Sequence, residues 1–135
     1  MAEERVPSSE INDNDKLMSL LAYIIGLIVP LIILLSDSNK NRPFQRYHAI
    51  QSLLLSAVFF IFSIVVGCLL GLITIVAGLL TLGIGVGIGG IGGICSLPLG
   101  LVFLGITIYF GIEAYQGKYV VIPMLTDFAK KQNWL

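Results

Sequence analysis

Between Ala49 and Ile112 the chain has no aspartate, glutamate, lysine, arginine or histidine. That is a run of 64 residues, nearly half of the 135. The absence excludes an aqueous fold. A soluble domain carries about 25% charged residues, whereas this chain has 12%. So short a chain has too much surface for its volume to hide such a stretch in its own core. Lipid must surround it, in keeping with a mean hydropathy of +0.94. An uncharged interior also removes the acids and bases that proton relays and ion pathways use at mid-membrane depth, which disfavours a coupled transporter.

Other scarcities narrow the chemistry. Histidine occurs once, as His48, and cysteine twice, as Cys68 and Cys95, both in apolar sequence. Neither CxxC nor Cys/His spacing is present, so a metal or thiol-redox site is not expected and the two thiols read as small hydrophobes. There is no Ser/His/Asp set, and no enzymatic activity, cofactor or metal is expected. The formal net charge is zero, and no nucleic-acid partner is expected. The first residues are acidic rather than basic, unlike a signal peptide.

The chain does contain long apolar stretches separated by one charged island, Asn39–Gln51. Residues 1–12 are polar and read as a disordered acidic N-terminus. A transmembrane region follows over 13–116. Its first span, Leu17–Leu35, is 19 residues, or roughly 28 Å of helix against a hydrocarbon core of about 30 Å. Asp13–Asp15 suit its N-terminus, and Pro30 predicts a kink near Gly26–Pro30. Arg42-Pro43 then starts a long helix from Pro43 to about Leu80, spanning the membrane over roughly 49–80. Along it Ser52, Ser56, Phe60, Ser63, Gly67, Gly71, Thr74 and Gly78 recur at helical spacing. This face, with Gly67-x-x-x-Gly71, predicts helix packing through Ser52, Ser56, Ser63, Gly67, Gly71 and Gly78.

Residues 81–93 are glycine-rich, and glycine costs about 1 kcal/mol against alanine inside a helix. A weak helix, a turn or a re-entrant segment is expected there. The formal G-x-G-x-x-G at Gly85, Gly87 and Gly90 lacks the βαβ unit that a dinucleotide site needs. The last span covers about 94–115, and Gly117 suits its stop. The tail, 117–135, predicts a short interfacial helix opened by Pro123, with Met124, Leu125 and Phe128 towards lipid and Trp134 in the same layer.

The fold class expected is therefore an all-α polytopic membrane protein with three transmembrane helices, or four as the alternative, plus a C-terminal interfacial helix. The positive-inside rule puts the island and the basic tail in the cytoplasm and the N-terminus outside. Two cytoplasmic flanks require an even number of crossings between them, which favours three spans. The expected surface for lipid head groups or a partner protein is Arg42, Phe44, Arg46, His48 and Gln51. Lys40, Arg42 and Arg46 also suit simple interfacial anchoring. In the three-span arrangement Glu113 returns to the level of Arg46 and His48 and can pair with either.

Two motifs carry a family resemblance. Pro43-Phe44-Gln45-Arg46-Tyr47-His48-Ala49-Ile50-Gln51 follows a first span with a Gly26…Pro30 break, and the chain closes with Ala114…Gly117…Tyr119…Pro123. From about Lys16 to Phe128 the chain resembles small multi-pass bacterial membrane proteins of unknown function. These are similar to the twenty-kilodalton Tic subunit of the chloroplast inner-envelope translocon. The resemblance implies a non-enzymatic accessory or translocon-like component of the bacterial plasma membrane, with four spans in the translocon relatives. Its partners would be membrane lipids and a membrane protein or a second copy. A channel or transporter subunit is the alternative function.

Overall fold

The computed structural model describes residues 11–39, 41–81 and 86–135, leaving aside the side chains of 86–92 and 95. The expectation of a disordered segment over 1–12 falls almost wholly outside these residues, as do Lys40 and residues 82–85 of the glycine run. Among the described residues the chain is all helical: α1 (Asp13–Ile24), α2 (Ile28–Leu35), α3 (Pro43–Leu80), α4 (Val86–Tyr115) and α5 (Pro123–Lys131). Two stretches are long and apolar enough to cross a membrane, Pro43–Leu80 and Ser96–Tyr115, with mean hydropathies of 2.8 and 1.8. The expected third span is not among them.

Leu17–Leu35 is a helical hairpin instead of one rod. Its helix stops at Ile24, turns through Ile25–Leu27 with Ile28 N–H donating to Ile25 O, and restarts at Ile28. Pro30 is the third residue of α2, where a missing N–H costs nothing because the first turn has no internal acceptor. The direction of α2 follows from four hydrogen bonds. Ser56 Oγ donates to Gly26 O at 2.9 Å. Ser56 lies 13 residues beyond Pro43, about 20 Å along α3, so the hairpin tip is at that depth. Arg42 nevertheless follows Leu35 by only seven residues, in a loop folded by Asn39 N–H to Ser36 O and Arg42 N–H to Asn39 O bonds. Arg42 in turn holds Asp15 near the start of α1. Both ends of the hairpin therefore sit at the level where α3 begins. Ala22, Val29, Ile33 and Ala49 form the small apolar core that joins the hairpin to α3.

The chain divides into two compact units. The first comprises the residues up to Ser56 together with Ile106–Leu135. It holds the hairpin, the first turns of α3, the end of α4 and α5. Helix α4 ends there in a Schellman motif. Gly117, at φ +79°, donates to Ala114 O, and Lys118 N–H donates to Glu113 O. Glycine suits that left-handed position because it has no Cβ.

The second unit is Ala57–Gly105. In it α3 and α4 meet at a stacked Phe59–Phe103 pair, 3.8 Å between centroids. Beside them lies a cavity of about 700 Å³, lined by Ser63, Gly67, Gly71, Thr74, Ser96 and Gly100 among others. α4 starts at Val86, so residues 86–93 of the glycine run are helical. In lipid an unpaired backbone group costs several kcal/mol, which outweighs about 1 kcal/mol per glycine.

Candidate functional site

The described polar groups converge on the first three turns of α3. Pro43 is its first residue, where a ring-locked φ and a missing N–H both suit a helix start. Inside the next turns, Phe44, Gln45, His48, Ala49, Ile50, Gln51 and Ser52 are buried. The face they make carries three long polar side chains, and each meets a different part of the first unit.

Gln45 meets α1. Its Nε2 donates to Asp15 Oδ1 at 2.6 Å, and Arg42 Nη1 donates to the same oxygen at 2.7 Å. The other oxygen, Oδ2, accepts Asn12 N–H at 3.0 Å, half of a capping box for α1. Burial raises the Asp15 pKa, but the Asn12 N–H, Arg42 and Gln45 together more than offset it and hold the carboxyl below its ordinary value. An α1 carboxylate thus also supplies the negative charge favoured beside the start of α3.

His48 meets α1 and the tail. Its Nε2 is 3.0 Å from Lys118 O, and its Nδ1 is 3.2 Å from the Tyr23 hydroxyl. A carbonyl only accepts, so Nε2 carries the proton; burial disfavours a charged ring, which leaves Nδ1 to accept from Tyr23, whose hydroxyl also lies 3.5 Å from Gln51 Oε1. The ring is neutral, fully buried, and packed edge-on against Phe44 and Tyr47. Tyr119 stacks on it from the tail at 6.1 Å.

Gln51 meets α5. Its Nε2 donates to Thr126 Oγ1 at 2.7 Å, and the same oxygen accepts Ile122 N–H at 3.0 Å, closing the start of α5. Tyr47 adds a fourth tie, its hydroxyl donating to Val120 O at 2.8 Å. The result is a lock in which buried side chains of one helix hold the hairpin, the extended 118–122 segment and α5 together.

This arrangement redistributes the residues expected to bind lipid or a partner. Phe44, His48 and Gln51 are at most 2% exposed and offer no surface to a ligand. Arg42 is half-buried and paired with Asp15. Arg46 alone of the five is exposed, and among the described residues it forms no ion pair. Glu113 pairs with neither Arg46 nor His48; its Oε1 accepts the Tyr109 hydroxyl one turn earlier in α4 at 3.1 Å. The reason is local: a phenol at i−4 on the same helix face reaches the carboxylate first.

The small-residue face is also divided. Ser52 is buried and bonds Ala49 O, and Ser56 clamps the hairpin tip. Ser63, Gly67 and Gly71 line the cavity in the second unit, and a Cβ added at Gly67, Gly71 or Gly78 would meet nothing within 4 Å. These glycines do not bring two described helices into close approach. The groups that sequence reasoning missed are Asp15, Tyr23, Tyr47, Tyr119 and Thr126. Tyr23, the sole ionisable side chain in the first apolar stretch, was the strongest available signal.

Among the described residues no three His, Cys, Asp or Glu side chains cluster to hold a metal ion. The arrangement offers no nucleophile with a base and no anion cradle. What it defines is a small all-helical membrane protein whose polar groups serve assembly of its own fold. The chain belongs to the MamF/MmsF magnetosome magnetite crystal formation protein family, whose model matches residues 14–129. No curated protein and no solved structure matches it. The membership gives no support to the translocon kinship suggested by the two motifs.

Proposed function

We propose that the protein is a non-enzymatic membrane component that takes part in magnetite crystal formation. The family match over residues 14–129 carries this reading. The membrane it serves is then the one that encloses the crystal, in place of the plasma membrane at large.

Two crossings, α3 and α4, fit the geometry best. The α1–α2 hairpin, about 20 Å deep against a hydrocarbon core of about 30 Å, enters and returns. Residue 11, the start of α3 and the tail then share one face, and the positive-inside rule, applied to the lysines and arginines of the island and tail, supports a cytoplasmic placing of that face. The residues that join α3 to α4 in sequence, 81–85, carry no charged side chain. Ionic coordination of iron or of a mineral surface by residues 81–85 is therefore not part of the proposal. Its effect on the crystal runs through the membrane and its neighbours. A channel or transporter subunit gains no support from α3 and α4, which lack charged side chains through the hydrocarbon.

Deleting the gene in its magnetite-forming host tests the function. Crystals of altered size or number, restored by the intact gene, are expected; crystals of unchanged dimensions and number overturn the reading. Topology is tested separately with single cysteines at Asn12 and Asn133. Labelling of both from the same side is expected, and labelling from opposite sides overturns the two-crossing arrangement.

A further inference from the structure

Helix α5 has two unlike faces. Thr126 and Ala129 turn inward and are 1% and 0% exposed. Through Thr126 the helix is tied to Gln51, eight residues beyond Pro43 and so about 12 Å along α3 from its start. The outward face carries Met124, Phe128 and, just past the helix, Trp134, which are 85%, 47% and 45% exposed. Lys130 and Lys131 occupy the last turn.

The aromatic end is built, not frayed. Asn133 takes a left-handed φ of 56° and donates to Lys130 O, while Trp134 N–H donates to Ala129 O at 2.9 Å. That is a second Schellman motif, and the apolar contact that accompanies such motifs is here Phe128 against Trp134, edge-on with centroids 5.8 Å apart. Two rings are thereby held together beside the two lysines of the last turn. In the same unit, Ile108 and Ile112 of α4 and Ile28 and Ile32 of the hairpin are also exposed. The outer face of α5 thus adds large apolar side chains to others that the same unit leaves exposed and that water does not stabilise.

We propose that the outer face of α5 binds the membrane surface. Met124, Phe128 and Trp134 enter the acyl region just below the head groups, and Lys130 and Lys131 take the phosphates of anionic lipids in the same leaflet. This moves lipid recognition from the island, where most of the expected residues are buried or paired, to the tail.

Trp134 is the only tryptophan and reports directly. The full-length protein is reconstituted into vesicles of phosphatidylcholine alone or with phosphatidylglycerol, and Trp134 quenching by acyl-brominated lipid is read. Quenching is expected in both, about twofold stronger with phosphatidylglycerol, and the difference should vanish in Lys130→Gln/Lys131→Gln. Phe128→Ser should weaken quenching in both, with helix content checked by circular dichroism. An unquenched, water-like emission overturns the proposal. So does a blue-shifted but unquenched ring, which signals burial against a second copy, and so does equal quenching in the two lipids. If inorganic phosphate added to phosphatidylcholine vesicles reproduces the phosphatidylglycerol effect, the site binds free phosphate and the head-group assignment falls.

Discussion

From Phe44 to Ser52, α3 buries seven side chains, four of them polar. From Ala57 to Leu80, the same helix buries none. The first stretch ties together segments from both ends of the chain, and each tie is a directional bond made by a buried or half-buried side chain. The second has an aromatic stack, a cavity and small residues, and its Thr74 hydroxyl bonds its own helix at Leu70 O. A helix among acyl chains needs only satisfied backbone groups to persist. It needs side-chain bonds where segments distant in sequence must be held in one arrangement.

The sharpest break in this contrast is His48→Ala. It removes two bonds and a fully buried ring, and leaves the buried Tyr23 hydroxyl only its longer 3.5 Å bond to Gln51 Oε1, at a cost of roughly 2–4 kcal/mol. Thr74→Ala in the second unit should cost less than about 0.5 kcal/mol. Unfolding in mixed detergent micelles reads both, and equal losses would erase the distinction.

Asp15→Asn comes next. It weakens the bonds from Arg42 and Gln45, at about 1–2 kcal/mol given that Arg42 is partly solvated. Because the folded Asp15 pKa is lowered, its contribution is complete above the unfolded value of about 3.9. It is lost as pH falls from there through the folded pKa. Stability should hold level from pH 7 to 5 with respect to this group. The acid loss below that should be smaller in Asp15→Asn, and an identical acid limb in both proteins would show that Asp15 contributes nothing.

Smaller effects separate the glycines. A Cβ at Gly26 would sit 2.7 Å from Ser56 Oγ, so Gly26→Ala displaces that hydroxyl and costs about 1 kcal/mol. Gly71→Ala meets nothing and should stabilise α3 slightly, by up to about 0.8 kcal/mol from helix propensity. Loss of stability at Gly71 would instead reveal a close neighbour in the membrane.

How much was legible in the sequence follows the same division. Local signals read well: Pro43 opening α3, Gly117 closing α4 and Pro123 opening α5 each depend on backbone chemistry within a few residues. Pro30 was legible as an interruption but not as a reversal. Reversal is set by Ser56 reaching Gly26 and by Arg42 reaching Asp15, contacts 30 and 27 residues apart that no periodicity encodes. The glycine run left a weak helix, a turn and a re-entrant segment open, because propensity alone does not weigh glycine's cost against that of an unpaired backbone group in lipid; residues 86–93 are helical. In the motif around His48, Phe44, Gln45, His48 and Gln51 face inward while Arg46 is exposed, and spacing alone does not distinguish a surface that binds from one that locks.

The lock also has a timetable. The acceptors for Tyr47, His48 and Gln51 lie 73, 70 and 75 residues downstream. At about 5–20 residues per second, roughly 4–15 s of synthesis separates the two halves of each bond. Through that interval the first turns of α3 hold polar side chains whose final partners do not yet exist, so they must stay hydrated. The start of α3 reaches its final buried state only once the 118–126 segment has emerged and folded back.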